Sequence, residues 1–334
     1  MNPDALATRL AGAGVRVALD VAVADLTTYH VGGPVAVLAR VGSATELVAL
    51  ATAFTDGSDD APPLPLLVVG RGSNLLVADG GFPGLGLVLD GEFEALDLGA
   101  DATTVRAGAA VALPVLARRA AAAGRTGLEF YVGIPGTVGG AVRMNAGGHG
   151  RETADVLVDA EVADLAAGGV PTPRPLGALG FGYRRSALSP TEVVTGASFR
   201  VVDGDAGAAE EEVAVIVRWR REHQPGGSNA GSVFANPPGD SAGRLVDSLG
   251  LKGLRVGGAV VSSKHANFFQ AEAGATADDV RRLVVEVRRR VLDATGIALV
   301  PELRMVGFDD EAPAAEGSDA EGSVDGAPAD GAGP

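Results

Sequence analysis

The chain has 334 residues, of which 46% are hydrophobic and 21% are charged, so it is long enough to bury a sizeable core. The formal charge is −15, but eight acidic residues fall in positions 309–334, which leaves about −7 elsewhere and excludes a broad basic surface for nucleic acid. Cysteine is absent, which excludes disulfides, thiol nucleophiles and thiolate metal sites, so redox chemistry would require a cofactor.

The N-terminal region shows no targeting segment. Met1–Asp20 contain no apolar signal core, and arginines at positions 118 and 119 interrupt the longest apolar-leaning stretch, 107–124. We therefore expect a cytoplasmic protein that acts on a small molecule and has no membrane partner.

A β-α-β pattern follows and ends in a glycine-rich turn. Val35–Val41 have the pattern of a strand, and Ser43 with Glu46 has the spacing of a capping box at the start of a helix. Leu66–Val69 are predicted to form a buried strand that runs into the turn Gly70–Asn74. Backbone N–H groups of such a turn can bind an anion, but it fits neither the dinucleotide fingerprint nor the P-loop, and an ordinary turn is an equal alternative.

The middle of the chain holds further predicted elements and a second, longer glycine segment. We predict strands at Leu85–Leu89, Thr103–Ala107 and Val193–Val202, and a helix at Leu113–Ala123. Gly133–Gly150 contain seven glycines in 18 residues, which is costly unless the backbone must approach another group closely. This composition favours the binding of a flat or pyrophosphate-bearing cofactor over a plain loop.

Three short segments carry candidate reactive side chains. Phe181–Ser186 contain an arginine pair that could bind a carboxylate or an enolate, and a surface arginine cluster is the alternative. Ser232 has no histidine partner in a recognised arrangement, so it could donate a proton but does not suit a hydrolase. Glu302 lies in a strand-like run, where it is either paired with a neighbour such as Arg304 or held in a site.

The C-terminal part has its own predicted elements after a boundary near residue 204. A helix is predicted at Glu210–Arg220, and a longer one at Ala277–Ala294 has an apolar stripe and an arginine-rich face that we expect to be solvated. Thr276 and Gly296 are the predicted caps of the longer helix. Residues 309–334 are predicted to form a disordered tail, and the four histidines lack the spacing of a metal site.

Together, and in this order, the segments resemble the UDP-N-acetylenolpyruvoylglucosamine reductase family. The resemblance extends from about residue 25 to residue 307. The matching stretches are Thr27–Pro34, Gly70–Asn74, Gly133–Gly150, Tyr183–Ser186, Gly231–Pro237, Gly250–Gly253, Ser263–Phe268 and Pro301–Glu302.

This resemblance implies an α+β fold. Residues 1–203 would form a two-subdomain FAD-binding domain of the vanillyl-alcohol-oxidase/PCMH type, divided into about 1–88 and 89–203. Residues 204–308 would form a C-terminal α+β substrate-binding domain. The implied activity is the NADPH-dependent, FAD-mediated reduction of UDP-N-acetylglucosamine enolpyruvate to UDP-N-acetylmuramate for peptidoglycan precursor biosynthesis. Another FAD-dependent oxidoreductase of the same superfamily is the alternative, and neither implies an obligate protein partner.

The resemblance also implies roles for individual residues. Arg184 and Glu302 would polarise the substrate carboxylate and stabilise an enolate, and Ser232 would protonate its α-carbon. The implied FAD contacts are Gly70, Arg71, Gly72, Ser73, Asn74, Ile134, Pro135, Gly136, Thr137, Gly139, Gly140, Ala141, Asn145, Ala146 and Gly147. The implied substrate contacts are Tyr183, Asn236, Arg244, Lys252 and His265. The chain departs from one branch of the family in lacking a tyrosine-bearing insertion between Arg184 and Ser232.

Overall fold

The computed structural model describes residues 2–55, 64–99 and 103–308, so the predicted tail lies outside the described residues. The α-helices are α1 Pro3–Gly12, α2 Ala44–Thr55, α3 Leu113–Ala122, α4 Val138–Met144, α5 Thr153–Val156, α6 Ala206–His223, α7 Ala242–Ser248 and α8 Ala277–Thr295. The strands are β1 Arg16–Ala22, β2 Pro34–Val41, β3 Leu66–Val68, β4 Leu75–Val77, β5 Phe82–Leu89, β6 Leu96–Asp97, β7 Thr104–Gly108, β8 Arg125–Thr126, β9 Gly147–Gly148, β10 Arg151–Glu152, β11 Leu157–Asp164, β12 Thr172–Pro175, β13 Glu192–Arg200, β14 Val202–Asp203, β15 Arg255–Val256, β16 Ala259–Val261, β17 Phe269–Ala271 and β18 Arg304–Val306.

The chain divides into two compact units, and the second is assembled from three separate segments. The first unit comprises residues up to Val21, Val35–Arg71 and Pro83–Arg220. The second comprises Ala22–Pro34, Gly72–Phe82 and the chain from Arg221 onward. The boundary expected near residue 204 thus differs from the division at Arg221. The reason is that α6 buries apolar side chains, among them Val213 and Ile216, in a core of the first unit.

The first unit contains two larger sheets, each with its own apolar cluster. One sheet has the order β1-β2-β5-β3, and its cluster includes Leu6 of α1 and Leu47 of α2. The other has the order β12-β11-β13-β7-β6, and its cluster includes Leu116 of α3 and Val142 of α4. The strand at β3 is less buried than predicted, and Val68 is 43% exposed, because β3 is an edge strand.

The second unit combines a three-stranded sheet, a two-stranded parallel pair and two helices. The sheet has the order β15-β16-β17, and β4 pairs in parallel with β18. Their common core contains Tyr29, Leu76, Phe234 and Phe269 together with the apolar stripe of α8, which confirms the predicted buried face of that helix. On the opposite face, Arg282, Arg289 and Arg290 are exposed and form ion pairs with carboxylates of the same helix.

Two sets of hydrogen bonds begin helix α8. Thr276 and Asp279 form a capping box, and Gly296 ends the helix with a φ of +73°, so both predicted caps are confirmed. The carboxylate of Asp79 accepts hydrogen bonds from the N–H groups of Ala277 and Asp278, each at 2.9 Å. The segment that follows the first glycine turn is thereby attached to the helix N-terminus.

No helix in the described ranges is long and apolar enough to cross a membrane.

Candidate active site

The first glycine turn follows the edge strand β3, and each of its two glycines lies close to a different part of the protein. A Cβ atom on Gly70 would lie 2.7 Å from Oγ1 of Thr137 within the first unit. A Cβ atom on Gly72, whose φ is +58°, would lie 2.1 Å from the backbone oxygen of Leu26 within the second unit. Both positions therefore require glycine for packing against protein atoms, in addition to any approach by a cofactor.

The second glycine segment is organised around the short helix α4. Thr137 caps this helix and Asn145 ends it in the left-handed conformation. Asn145 is 1% exposed, and its side chain donates to the oxygen of Gly182 at 3.1 Å and accepts from the N–H of Ala154 at 2.9 Å. The side chain of Asn145, expected to contact a cofactor, thus attaches α4 to the turn that precedes Arg184.

The other implied cofactor residues of this segment surround α4. Gly136 has a φ of +153° and accepts a hydrogen bond from the N–H of Leu113 at 3.0 Å. A Cβ atom on Gly139 would lie 3.1 Å from Cβ of Ala109, so this glycine allows α4 to approach β7. Ile134, Pro135 and Gly136 precede the helix, Gly139, Gly140 and Ala141 lie in it, and Ala146 and Gly147 follow it.

Arg184 lies at the corner of a two-residue turn in the first unit. Gly182 and Arg185 exchange backbone hydrogen bonds of 3.1 and 3.2 Å across this turn. The φ of Arg184 is +57°, a conformation that costs a non-glycine residue about 1 kcal/mol. Nη2 of Arg184 donates to the oxygen of Gly147 at 3.1 Å, and the guanidinium lies 5.0 Å from the ring centroid of Tyr183. The turn therefore brings the guanidinium to the second glycine segment.

Ser232 and Glu302 lie on adjoining backbone segments of the second unit. The N–H of Glu302 donates to the oxygen of Val233 at 2.8 Å, so the carboxyl-bearing residue is bonded to the neighbour of the serine. On the other side, Ser232 forms an isolated antiparallel bridge with Phe268. The fold thus brings together a hydroxyl and a carboxyl residue that are far apart in the sequence.

Asn267 holds the serine segment in place, and sequence reasoning assigned it no role. Its side chain accepts from the N–H of Phe234 at 3.0 Å and donates to the oxygen of the same residue at 2.8 Å. Its backbone oxygen accepts from the N–H of Val233 at 2.8 Å. Asn267 is 3% exposed, so these bonds satisfy buried polar groups. In the sequence, the signal that could have pointed to Asn267 was its single amide side chain within the apolar run around Phe268.

Four of the five implied substrate residues border α7 in the second unit. The side-chain oxygen of Asn236 accepts from the N–H of Ala242 at 3.0 Å, and Arg244 lies on the helix. Lys252 donates to Asp247 of the same helix at 2.7 Å. Cε1 of His265 lies 3.3 Å from the position of a Cβ on Gly243. The fifth residue, Tyr183, lies in the first unit and is 53% exposed.

The two cations beside α7 already have carboxylate partners. Arg244 forms an ion pair with Asp240, and a hydrogen bond from the guanidinium holds the pKa of that carboxyl below its usual value. Lys252 and Asp247 form an exposed pair. A phosphate that binds here would therefore have to compete with these carboxylates for the two cations.

His149, at the end of the second glycine segment, packs against Trp219 of α6. Their ring centroids are 5.2 Å apart in an edge-to-face arrangement. Burial lowers the pKa of the His149 imidazole, and the positive charge of Arg220 lowers it further. Trp219 therefore packs as an anchor within the first unit. Among the described residues, no cluster of histidine, aspartate or glutamate side chains could hold a metal ion.

The polar groups around the first turn are suited to an anionic cofactor. Oγ1 of Thr27 is buried and has no hydrogen-bond partner in the described part of the chain. Cα of Thr27 lies 2.5 Å from the position that a Cβ on Gly72 would occupy. The hydroxyl of Thr27, which can donate a hydrogen bond, therefore lies beside the backbone at Gly72, where no side chain blocks the approach of a ligand. This arrangement is suited to the binding of a diphosphate.

Comparison with known proteins defines the class of this chain. The family model for an FAD binding domain matches residues 34–172, and the model for the UDP-N-acetylenolpyruvoylglucosamine reductase C-terminal domain matches residues 223–306. The chain is therefore an FAD-binding α+β flavoprotein.

Individual relatives identify the family. The UDP-N-acetylenolpyruvoylglucosamine reductase of Paramagnetospirillum magneticum is 43% identical over 294 residues, which cover 88% of this chain and 92% of that protein. The reductase of Rubrobacter xylanophilus is 42% identical over 284 residues, which cover 84% and 92%. The crystal structure of the Thermus caldophilus reductase superposes with a TM-score of 0.72 at 39% identity, covering 87% of this chain and 98% of that one. The chain belongs to the UDP-N-acetylenolpyruvoylglucosamine reductase family.

These findings confirm the resemblance inferred from the motifs. They also confirm the α+β fold, with an FAD-binding domain that precedes the C-terminal domain characteristic of this family.

Proposed function

We propose that this protein reduces UDP-N-acetylglucosamine enolpyruvate to UDP-N-acetylmuramate for peptidoglycan synthesis, with FAD as the cofactor and NADPH as the reductant. The observation that supports this reaction best is the adjacency of Ser232 and Glu302 in a chain of this family. Reduction of an enolpyruvyl group needs a proton donor and a group that stabilises developing negative charge.

FAD would be held by backbone groups of the two glycine segments and by the hydroxyl of Thr27. When bound, it would supply the hydride that is added to the vinyl group of the substrate. Support comes from the packing of Gly70 against Thr137, which brings the two glycine segments together within the first unit.

Arg184 and Glu302 would bind the carboxylate of the enolpyruvyl group. A guanidinium presents two parallel N–H donors to a carboxylate. It can therefore stabilise the negative charge that develops on the substrate as the enolate forms. Glu302 must carry or share a proton to stabilise an anion, since two carboxylates side by side would repel. The hydrogen bond of Arg184 to Gly147 already limits the orientation of its side chain.

Ser232 would donate the proton that completes the reduction at the α-carbon. A serine hydroxyl is a weak acid, so its position matters more than its acidity. The bonds from Asn267 and Glu302 to the backbone of Val233 restrict the position of the adjoining serine.

The nucleotide sugar would be bound by Asn236, Arg244, Lys252 and His265 around α7, with Tyr183 as a further contact. We assign cofactor binding to the segments expected within residues 1–203, which also supply Tyr183 and Arg184 to the substrate, and the other substrate contacts to those expected within residues 204–308. A cytoplasmic location without a nucleic-acid, membrane or obligate protein partner completes the proposal, and the mildly acidic charge of the folded part supports it.

The test is to measure the absorbance of NADPH with purified protein in the presence and absence of the enolpyruvyl nucleotide sugar. We expect a yellow protein whose NADPH oxidation depends on this substrate and yields UDP-N-acetylmuramate by mass spectrometry. Oxygen consumption with an alcohol or sugar donor, without a response to NADPH, would instead support another flavin oxidoreductase. A rate of NADPH oxidation that is the same with and without the enolpyruvyl sugar would contradict the proposal as well.

A further inference from the structure

Asn74 connects the end of the first glycine turn to the strand that follows Glu302. The N–H of Arg304 donates to the backbone oxygen of Asn74 at 3.1 Å. Further along, the N–H of Ala78 donates to the oxygen of Val306 at 2.9 Å. These bonds bracket the parallel pairing of β4 with β18 and fix its register.

The side chain of Asn74 replaces one backbone donor in this ladder. In a regular parallel pair of this register, the backbone N–H of Asn74 would donate to the oxygen of Glu302. Nδ2 of Asn74 makes that bond instead, at 3.0 Å. Among the described residues, the backbone N–H of Asn74 has no hydrogen-bond acceptor. Because the side chain makes this bond, the backbone N–H of Asn74 remains available to donate to a ligand at the glycine turn.

Glu302 is held through both of its backbone groups. Its N–H binds the oxygen of Val233, beside the serine, and its oxygen binds Nδ2 of Asn74. Glu302 precedes β18 and lies outside it, so these two bonds define the path of its backbone. A change at Asn74 would therefore displace the carboxyl group without touching it.

We propose that Asn74 is a positioning residue for Glu302. Its side chain takes over one ladder bond, fixes the Glu302 peptide and frees a backbone N–H of the turn for the cofactor diphosphate. This inference rests on the role proposed for Glu302. It links the binding of cofactor at the turn to the placement of the carboxyl group.

A double-mutant cycle in the FAD-loaded full-length protein tests the link. The variants are Asn74→Ala, Glu302→Gln and the double mutant, and the rate measured is reoxidation of reduced flavin by the enolpyruvyl nucleotide sugar. We expect Asn74→Ala to slow this step about tenfold, the rate equivalent of one lost hydrogen bond. On the Glu302→Gln background it should cause no further loss, because it acts through Glu302.

The cycle distinguishes a failure of this inference from a failure of the role proposed for Glu302. If the two losses multiply in the double mutant, Asn74 acts independently of Glu302 and the inference is wrong, while the role of Glu302 stands. If Glu302→Gln alone leaves the rate unchanged, the role proposed for Glu302 is wrong and the inference is lost with it.

A second measurement does not depend on turnover. In the apo-protein and in the FAD-loaded protein, amide hydrogen exchange of residues 300–306 should quicken about tenfold in Asn74→Ala. Asn74→Asp keeps the shape of the side chain and removes the donor, so it should give the same pattern if Asn74→Ala fails to fold.

Asp79→Ala is the matched control, because it weakens the same chain segment at its contact with α8 and not at Glu302. It should leave exchange of residues 300–306 and the rate of flavin reoxidation unchanged. If Asp79→Ala reproduced the pattern of Asn74→Ala, general loosening of the segment would explain both, and the inference would be overturned.

Discussion

The guanidinium of Arg184 donates a hydrogen bond to the backbone oxygen of Gly147, at 3.1 Å, from a residue whose φ is +57°. A strained turn residue thus places its charge against the glycine segment that we propose to bind the cofactor. Strain of this kind persists where the surrounding structure fixes the conformation, and here the paired backbone bonds of the turn do so.

Removing this guanidinium should slow reduction of the enolpyruvyl sugar about 100-fold or more while leaving FAD bound. The free energy of unfolding of Arg184→Gly should exceed that of Arg184→Ala by about 1 kcal/mol, because glycine tolerates the positive φ. Stopped-flow absorbance and urea unfolding measure the two effects. Arg185→Ala, in the same turn, is the control and should retain activity. A colourless Arg184→Gly protein would contradict the assignment.

Replacing the hydroxyl of Ser232 should separate the two halves of the catalytic cycle. In Ser232→Ala, NADPH should still bleach the flavin at a normal rate, whereas reoxidation by substrate should slow about 100-fold to 10,000-fold, since only that half needs the proton. Anaerobic stopped-flow resolves both halves. The exposed Ser263→Ala is the control, and equal slowing of both halves in Ser232→Ala would argue against a proton donor.

A methyl group at Gly70 should disturb the contact between the two glycine segments. Its Cβ would lie 2.7 Å from Oγ1 of Thr137, so Gly70→Ala should cost about 1–3 kcal/mol of stability and weaken retention of FAD. Flavin fluorescence on dilution and thermal unfolding measure these effects. Gly80→Ala is the matched control, because a Cβ there meets nothing within 4 Å. Equal FAD retention in both variants would show that the contact does not shape the cofactor site.

The amide of Asn267 should contribute strongly to stability. Asn267→Leu leaves the N–H and the oxygen of Phe234 without partners, and each buried orphan costs about 1–3 kcal/mol. Urea unfolding should therefore show a loss of about 2–5 kcal/mol. Asn229→Ala, which removes the side chain of a less buried turn amide, should cost under about 1 kcal/mol. Similar losses in the two variants would contradict this account.

Acid should destabilise the protein partly through His149. Its folded pKa is lowered by burial and by Arg220, so the unfolded chain binds the proton more tightly. The stability it contributes is complete above the unfolded pKa of about 6.5 and is lost as the pH falls through the lower folded pKa. His149→Gln should therefore flatten the dependence of stability on pH below that value. An NMR titration that gave a folded pKa above 6.5 would refute the prediction.

Local sequence patterns predicted the elements whose signals are local. The apolar period of α8 and its caps at Thr276 and Gly296 are examples, and the motif residues were sufficient to identify the family. The N-terminal helix α1 was missed although Asn2 caps it and Pro3 begins it, and the strand β11 was missed because acidic residues interrupt its β pattern.

Long-range pairing explains the other differences from expectation. The assignment of residues 22–34 and 72–82 to the second unit depends on contacts with the C-terminal part of the chain, which no local window contains. The ladder bond made by the Asn74 side chain is of the same kind, since its acceptor lies 228 positions away.

The parallel pairing of β4 with β18 has a consequence for synthesis. The second unit cannot complete its core until translation has passed residue 306, so the strand that follows the first glycine turn would stay unpaired on the ribosome until β18 has emerged. A fragment that began at Arg221 would lack Tyr29 and Leu76 from its interior and would present β18 as an open edge, prone to self-association.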